Sequence, residues 1–296
     1  MANMNVIQKR CIQITLAVLV CFFLAGCAAT GRHGTDRYED NELLAGRHVP
    51  SLPEPEAEEI TEEESKGWVT MRKAPEKEEG GRYVYLTFDD GPSPNTNRIL
   101  DILSDFQIKA TFFVVGKEIL NNDFLEYEEA VTILQRVLAE GHYVGLHSMT
   151  HNMQRLYRAP GAHLNFHNEM QELQSLIYEI TGGYEANLYR APYGTRGMFT
   201  GDHIRQMSGS GLKGWDWSVD TEDWRRSSVN SVMGKIREDM EGRRYPDLVV
   251  VLFHEKNITI EALPVAIKYF QDLGYSFLPY HPDNHFQMNL IHHPDL

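Results

Sequence analysis

From about residue 82 the chain repeats one pattern, a short β-branched or aromatic run, a stop, then an amphipathic stretch at helical spacing. Tyr83 to Phe88 stops at Gly91-Pro92, and Asn97 to Phe106 then lines up Ile99, Leu100 and Leu103 on one face. Thr111 to Val115 closes at Gly116, and Tyr127 to Glu140 carries Ile133, Leu134, Val137 and Leu138 along one side. His142 to Leu146 reads as the next strand, after Gly141. The same criteria predict a helix near 165–180, strands near 187–190 and 213–217, and a helix near 229–240. A continuous apolar strand, Leu248 to Phe253, a helix over 259–272 and a last strand at 275–278 complete the series. Such alternation produces parallel strands with helices outside, as a barrel or an open doubly wound sheet. About seven strands in roughly 200 residues suit a barrel smaller than the eight-fold one.

The first 81 residues lack this pattern. Lys9 and Arg10 precede an apolar run, Cys11 to Leu24, too short to cross a bilayer comfortably, which is the layout of a secretory signal. The run ends Leu24-Ala25-Gly26-Cys27, which resembles the bacterial lipobox, so residues 1–26 are expected to be removed and Cys27 lipidated. An ordinary signal peptide or an uncleaved anchor are the plainer readings. Residues 27–81 hold prolines at 50, 53, 55 and 75 and the acidic run Glu54 to Glu59 continued by Glu62, Glu63 and Glu64. Like charges at that density extend a chain, so this stretch is expected to be a solvated tether. Removal of the signal takes away Cys11 and Cys21 as well, leaving a lipidated protein with no cysteine pair to bridge. With 28 Lys and Arg against 42 Asp and Glu, net charge −14, nucleic acid is excluded as the partner. A 24% charged and 42% hydrophobic composition is likewise wrong for a polytopic membrane protein.

In either α/β architecture, ligands collect at the C-terminal ends of the strands. Those ends carry Asp89-Asp90, His147 with His151, Arg190, Asp220 with Asp223, and His254. Asp89-Asp90-Gly91 is a common turn in isolation, but neighbouring residues leaving a strand point apart, so one carboxylate can hold a cation while the other stays free. His147 and His151 at i,i+4 would share one side of a helical turn, and two imidazoles plus a carboxylate make a three-ligand site with open positions. His163 and His167 repeat that spacing without a neighbouring carboxylate pair and read as helix surface or loop. The histidines of the last 16 residues, His281, His285, His292 and His293, read as a loosely packed tail.

Residues 82–280 resemble the polysaccharide deacetylase family, the NodB-homology domain of carbohydrate esterase family four. Five ordered motifs carry the resemblance: Thr87–Gly91 (TFDDG), His147–His151 (HSxxH), Arg190–Tyr193 (RxPY), Asp220–Trp224 (DxxDW) and Leu252–His254 (LxH). The resemblance implies a distorted (β/α) barrel of about seven parallel strands. It also implies a divalent metal, zinc or cobalt, on Asp90, His147 and His151. Asp89 would be the general base, paired with Arg190. His254 would be the general acid, oriented by Asp220. Tyr193 would offer its backbone N–H to a developing oxyanion, with Leu252 and Trp224 lining a pocket for the acetyl methyl. The implied reaction is hydrolysis of an N-acetyl group on a polysaccharide. Glu255 follows His254 where the family frequently has Asp, a change expected at the rim of the site. An anchored, extracytoplasmic enzyme of this kind is expected to act on N-acetylglucosamine of peptidoglycan. Chitooligosaccharides, O-acetylated polysaccharides and a silent wall-binding role are the alternatives.

Overall fold

A computed structural model describes residues 76–296, so the signal segment, Cys27 and nearly all of the tether lie outside the described residues. The central strands are β1 (Tyr83–Gly91) and β7 (Leu248–His254), paired in parallel from Tyr83 opposite Leu248 to Asp89 opposite His254. Both are sandwiched between layers, which is why they read as continuous apolar runs rather than alternating ones. The sheet runs β5-β4-β3-β2-β1-β7-β6, all parallel, with β2 at Thr111–Val114, β3 at Tyr143–Leu146 and β4 at Leu188–Tyr189. Lys213–Gly214 (β5) and Val219–Asp220 (β6) form its two ends, and β8 (Ser276–Phe277) pairs with the start of β1. The result is a curled half-barrel of seven parallel strands with helices outside. Within that class, the expected strand at 213–217 is replaced by two short ones on opposite edges, and the chain crosses the opening between them.

The outer layer is amphipathic as the spacing predicts. Helix α1 (Thr96–Asp105) buries Ile99, Leu100 and Leu103 completely, each contributing about 1.5–3 kcal/mol. Next come α2 (Gly116–Leu120) and α3 (Tyr127–Ala139), the latter with Glu128 and Glu129 complementing the dipole of its first turn. Then follow α4 (Ala162–Ile180), α5 (Gly201–Ser208), α6 (Val229–Gly242) and α7 (Asn257–Asp272). Helices α2 and α5 were not expected. One has five residues and the other eight, too short for a 3.6-residue period to be legible, and α5 starts on a reciprocal cap between Thr200 and His203.

The C-terminal segment is packed rather than loose. Met288 bridges in parallel to Trp215 beyond β5, the Trp215 indole donates to the Phe286 carbonyl at 2.8 Å, and Leu296 is buried. That segment covers the exposed end of β5, an edge that would otherwise present unpaired backbone.

Candidate active site

Strand register sets the geometry. Asp89 and His254 are direct partners across β1 and β7, so an acid and an imidazole stand side by side at the strand ends. Between β1 and β2 the register passes from Asp89–Phe113 to Gly91–Val114, leaving Asp90 in a bulge with φ 68°. The bulge aims the two carboxylates differently. Gly91 is required there because a Cβ would collide with the Glu255 carboxylate.

Asp89 is clamped. Its Oδ1 accepts from Arg190 Nη1 at 2.8 Å, while Oδ2 faces the site, 3.6 Å from His147 Nε2. Arg190 is wholly buried and also donates to Thr87 Oγ1 (2.7 Å) and the carbonyls of Trp215 (3.0 Å) and Asp216 (2.8 Å). A buried guanidinium stands only when its nitrogens find partners, and every one of Arg190's does. Burial pushes the Asp89 carboxyl up to about 6, against the opposing pull of Arg190 and His254. A carboxyl held there can change protonation state near neutral pH.

Asp90, His147 and His151 close the other side, with one ligating atom from each within 4.8 Å of the others. His147 Nδ1–H donates to the Arg190 carbonyl at 2.9 Å, which fixes the tautomer and leaves Nε2 facing inward. Asp90 Oδ1 lies 3.6 Å from His147 Nε2 and 3.4 Å from His151 Nε2, buried and without a hydrogen-bond partner. Burial would raise Asp90, but His147, His151, His254 and Lys256 outweigh it and hold the carboxyl below its usual range. Burial takes both ligand-set imidazoles down to about 4, keeping them neutral. An orphaned carboxylate oxygen between two neutral inward-facing imidazoles fits a divalent cation. Among the described residues this is the one such group of metal donors.

The two imidazoles meet by a different route from the one expected. Residues 147–151 form no helical turn, because Ser148 (φ 68°) and His151 (φ 52°) are left-handed. The loop is tied instead by side chains. Ser148 Oγ accepts from the His151 N–H at 2.9 Å, and the buried Glu169 on α4 accepts from the Thr150 N–H at 2.9 Å, from Thr150 Oγ1 and from Arg155 Nε at 2.6 Å. Tyr193 holds the far end, its hydroxyl donating to the His151 carbonyl at 3.0 Å. Together with Asp90, Tyr193 (φ 66°) and Glu222 (φ 52°), five residues within the motifs adopt a backbone conformation that costs of order 1–3 kcal/mol each. His163 and His167 fall on the first turns of α4, half-buried.

One assignment is corrected. The carboxylate on His254 is Asp223, not Asp220. Asp223 Oδ1 accepts from His254 Nδ1 at 2.8 Å, and Oδ2 accepts from the His254 backbone N–H at 2.7 Å and from Thr259 Oγ1 at 2.5 Å. Asp220, paired across from Leu252, spends Oδ1 on the Glu222 N–H at 2.9 Å in the loop. Burial would lower His254, but the Asp223 hydrogen bond and charge, aided by Asp89 and Asp90, lift it above its ordinary value. Of three imidazoles in one site, two are pushed toward the neutral form and one toward the protonated form, which sets His254 apart from His147 and His151.

The remaining positions frame the site. Tyr193 is half-exposed and its backbone N–H makes no hydrogen bond among the described residues. Leu252 is buried on β7, whereas Trp224 stands 59% exposed with the Arg225 guanidinium over its ring, so the apolar wall it was expected to form is open to solvent. Glu255 is not a rim residue. Its buried carboxyl accepts from Ser93 Oγ at 2.6 Å and Thr96 Oγ1 at 2.5 Å, pinning the β1–α1 loop, and burial pushes it up to about 7. Glu169 and Glu255 went unread as supports because buried carboxylates look like surface ones in sequence.

The comparisons agree with this geometry. The profile of the polysaccharide deacetylase family matches residues 76–214. The chain is 40% identical over 201 residues to YheN of Bacillus subtilis, spanning 67% of either protein. It is 36% identical over 215 residues to the peptidoglycan-N-acetylglucosamine deacetylase of Bacillus cereus, 71% of this chain and 74% of that one. The crystal structure of the Bacillus cereus polysaccharide deacetylase Bc1974 superposes with a TM-score of 0.63 at 34% identity, covering 73% of this chain and all of that one. A half-barrel whose strand ends bring an Asp-His-His triangle beside a clamped carboxylate, in a chain so similar to these proteins, belongs to the polysaccharide deacetylase family.

Proposed function

We propose that the protein removes N-acetyl groups from N-acetylglucosamine units of peptidoglycan, using a divalent metal, zinc or cobalt, held by Asp90, His147 and His151. The observation that carries this reading is Asp89: fixed by Arg190, unused by the donor triangle, and in register with His254. A cation in the triangle supplies Lewis-acid polarisation of the acetamide carbonyl and a more acidic water. The chain supplies the rest. Asp89 Oδ2 takes the proton of the attacking water, and the Tyr193 N–H faces the oxygen that gains charge, a contact worth about 2.7–4 kcal/mol in comparable sites. His254, charged with Asp223 behind it, gives its proton to the amide nitrogen, without which that nitrogen is a poor leaving group. Acetate and a glucosamine unit leave.

The preference for wall glycan rests on the leader and tether of the sequence, read as a lipid anchor at Cys27 on the outer side of the membrane. The test is acetate release, with and without chelator, from isolated wall glycan, chitooligosaccharides and acetylated xylan, with products mapped on the wall material. Release from wall glycan that chelator abolishes is expected. Release from xylan alone would remove the peptidoglycan assignment, and glycan binding without turnover would leave a wall-binding module.

A further inference from the structure

A groove of about 540 Å³ opens from Asp90 and His151 and runs between the loops after β1, β2 and β7, past Ser93, Lys117 and Lys256. At its far rim stands Phe124, 80% exposed, more than any other large apolar side chain among the described residues. Among the described residues the exposed aromatics are Phe124, Tyr178, Tyr193 and Trp224, and of these Phe124 alone lines the groove.

The turn that displays Phe124 is tied down on both sides. Asn122 Oδ1 accepts from the Phe124 N–H at 2.8 Å, and Asn122 Nδ2 donates to the Pro92 carbonyl at 3.1 Å and to Glu118 Oε2 at 3.0 Å. On the other side, Leu125 is buried. The ring is therefore held in the open by a turn hydrogen-bonded to the β1–α1 loop that follows Asp89 and Asp90. An exposed phenyl contributes nothing to the core, and one fixed beside the groove offers a flat apolar face to a ligand lying in it.

We propose that Phe124 is the stacking platform for a sugar ring next to the one being deacetylated, which makes this groove a second subsite for the glycan chain. This rests on the deacetylase reading above. A pyranose ring presents C–H bonds on its faces and hydroxyls at its edge. The first suits a flat aromatic, and the second suits the Lys117 and Lys256 ammoniums along the groove. A glycan longer than one ring must leave the catalytic position along the surface, and the groove is continuous with that position.

The experiment compares wild type with Phe124→Ala and Phe124→Trp on N-acetylglucosamine oligomers of two to five units and on 4-nitrophenyl acetate. Phe124→Ala is expected to lower kcat/KM on the longer oligomers about ten-fold, mostly through KM. Ester hydrolysis and melting temperature should stay unchanged, and Phe124→Trp should restore the loss. Equal chain-length dependence in wild type and Phe124→Ala, or an equal loss on oligomer and ester, would overturn the subsite alone. A wild type that deacetylates no glycan would overturn the parent reading and the subsite with it.

Discussion

Replacing Asp223 by Asn tests the proton-donor role proposed for His254. The Asp223 side chain is fully buried and accepts three hydrogen bonds, two of them from His254. An amide of the same shape has one acceptor oxygen, so its NH₂ must face either the His254 N–H or the Nδ1–H, donor against donor. The loss is one charge-assisted hydrogen bond, about 1.5–3 kcal/mol, which becomes about a ten- to hundred-fold fall in kcat/KM. The sign of the pH effect follows from the same contact. Asp223 raises His254, so its removal lowers it, and the alkaline limb of the kcat/KM profile, where the acid loses its proton, moves to lower pH. Asp220→Asn keeps an amide oxygen to accept the Glu222 N–H and has no hydrogen bond to His254 to lose, so it should stay within a few-fold of wild type, with the limb close to its wild-type position. Rate profiles of both variants with metal held saturating are the assay. An Asp220→Asn profile displaced as far as that of Asp223→Asn would refute the assignment.

Other expectations concern the groups around that pair. Glu169→Ala frees the Thr150 turn and should weaken metal affinity by about 10–100-fold, the usual effect of removing a partner that orients a ligand. Calorimetric titration reads this directly, activity should return at high metal, and an unchanged affinity would show that the turn stands without Glu169. Asp89→Asn should keep metal affinity while acetate release falls by about 10²–10⁴-fold; release at the wild-type rate would take the base role from Asp89. Glu255→Gln should gain stability over wild type as pH rises through the window from an ordinary glutamate value to about 7. There the unfolded wild type has ionised while the folded carboxyl still holds its proton, so wild-type folding weakens and the neutral amide escapes the cost. Thermal melts of the chelated protein from pH 4 to 8 measure it, and a pH-independent difference would contradict it.

What could be read from sequence divides along physical lines. Strands β1 and β7 were legible because a strand covered on both faces needs an unbroken apolar run, and Tyr83–Phe88 and Leu248–Phe253 supply one. Helices α1 and α3 were legible because two or more full turns make a 3.6-residue stripe visible. The two-residue strands β4, β5 and β6 carry no periodicity, and their pairing is dictated by neighbours far away in the chain. The choice between Asp220 and Asp223 was equally out of reach, because three residues in an irregular loop have no fixed direction. The Glu222 φ of 52° and the Thr259 hydroxyl on α7 make that choice.

The same reasoning explains how adjacent carboxylates come to share one site. In a regular strand, side chains alternate between faces, and Asp90 would point to the helix layer while Asp89 points inward toward Arg190. The bulge prevents this by skipping Asp90 in the pairing with β2 and turning it to a positive φ, which swings its carboxylate back toward His147 and His151. The bulge in turn needs the close approach of Glu255 to Gly91, and Glu255 is held by Ser93 and Thr96 from the loop that follows. The separation of the Arg190-clamped carboxylate from the one in the donor triangle is therefore a property of backbone geometry, set by a glycine and a buried glutamate outside that triangle. The aspartates themselves are chemically identical, and the bulge is what gives them different surroundings.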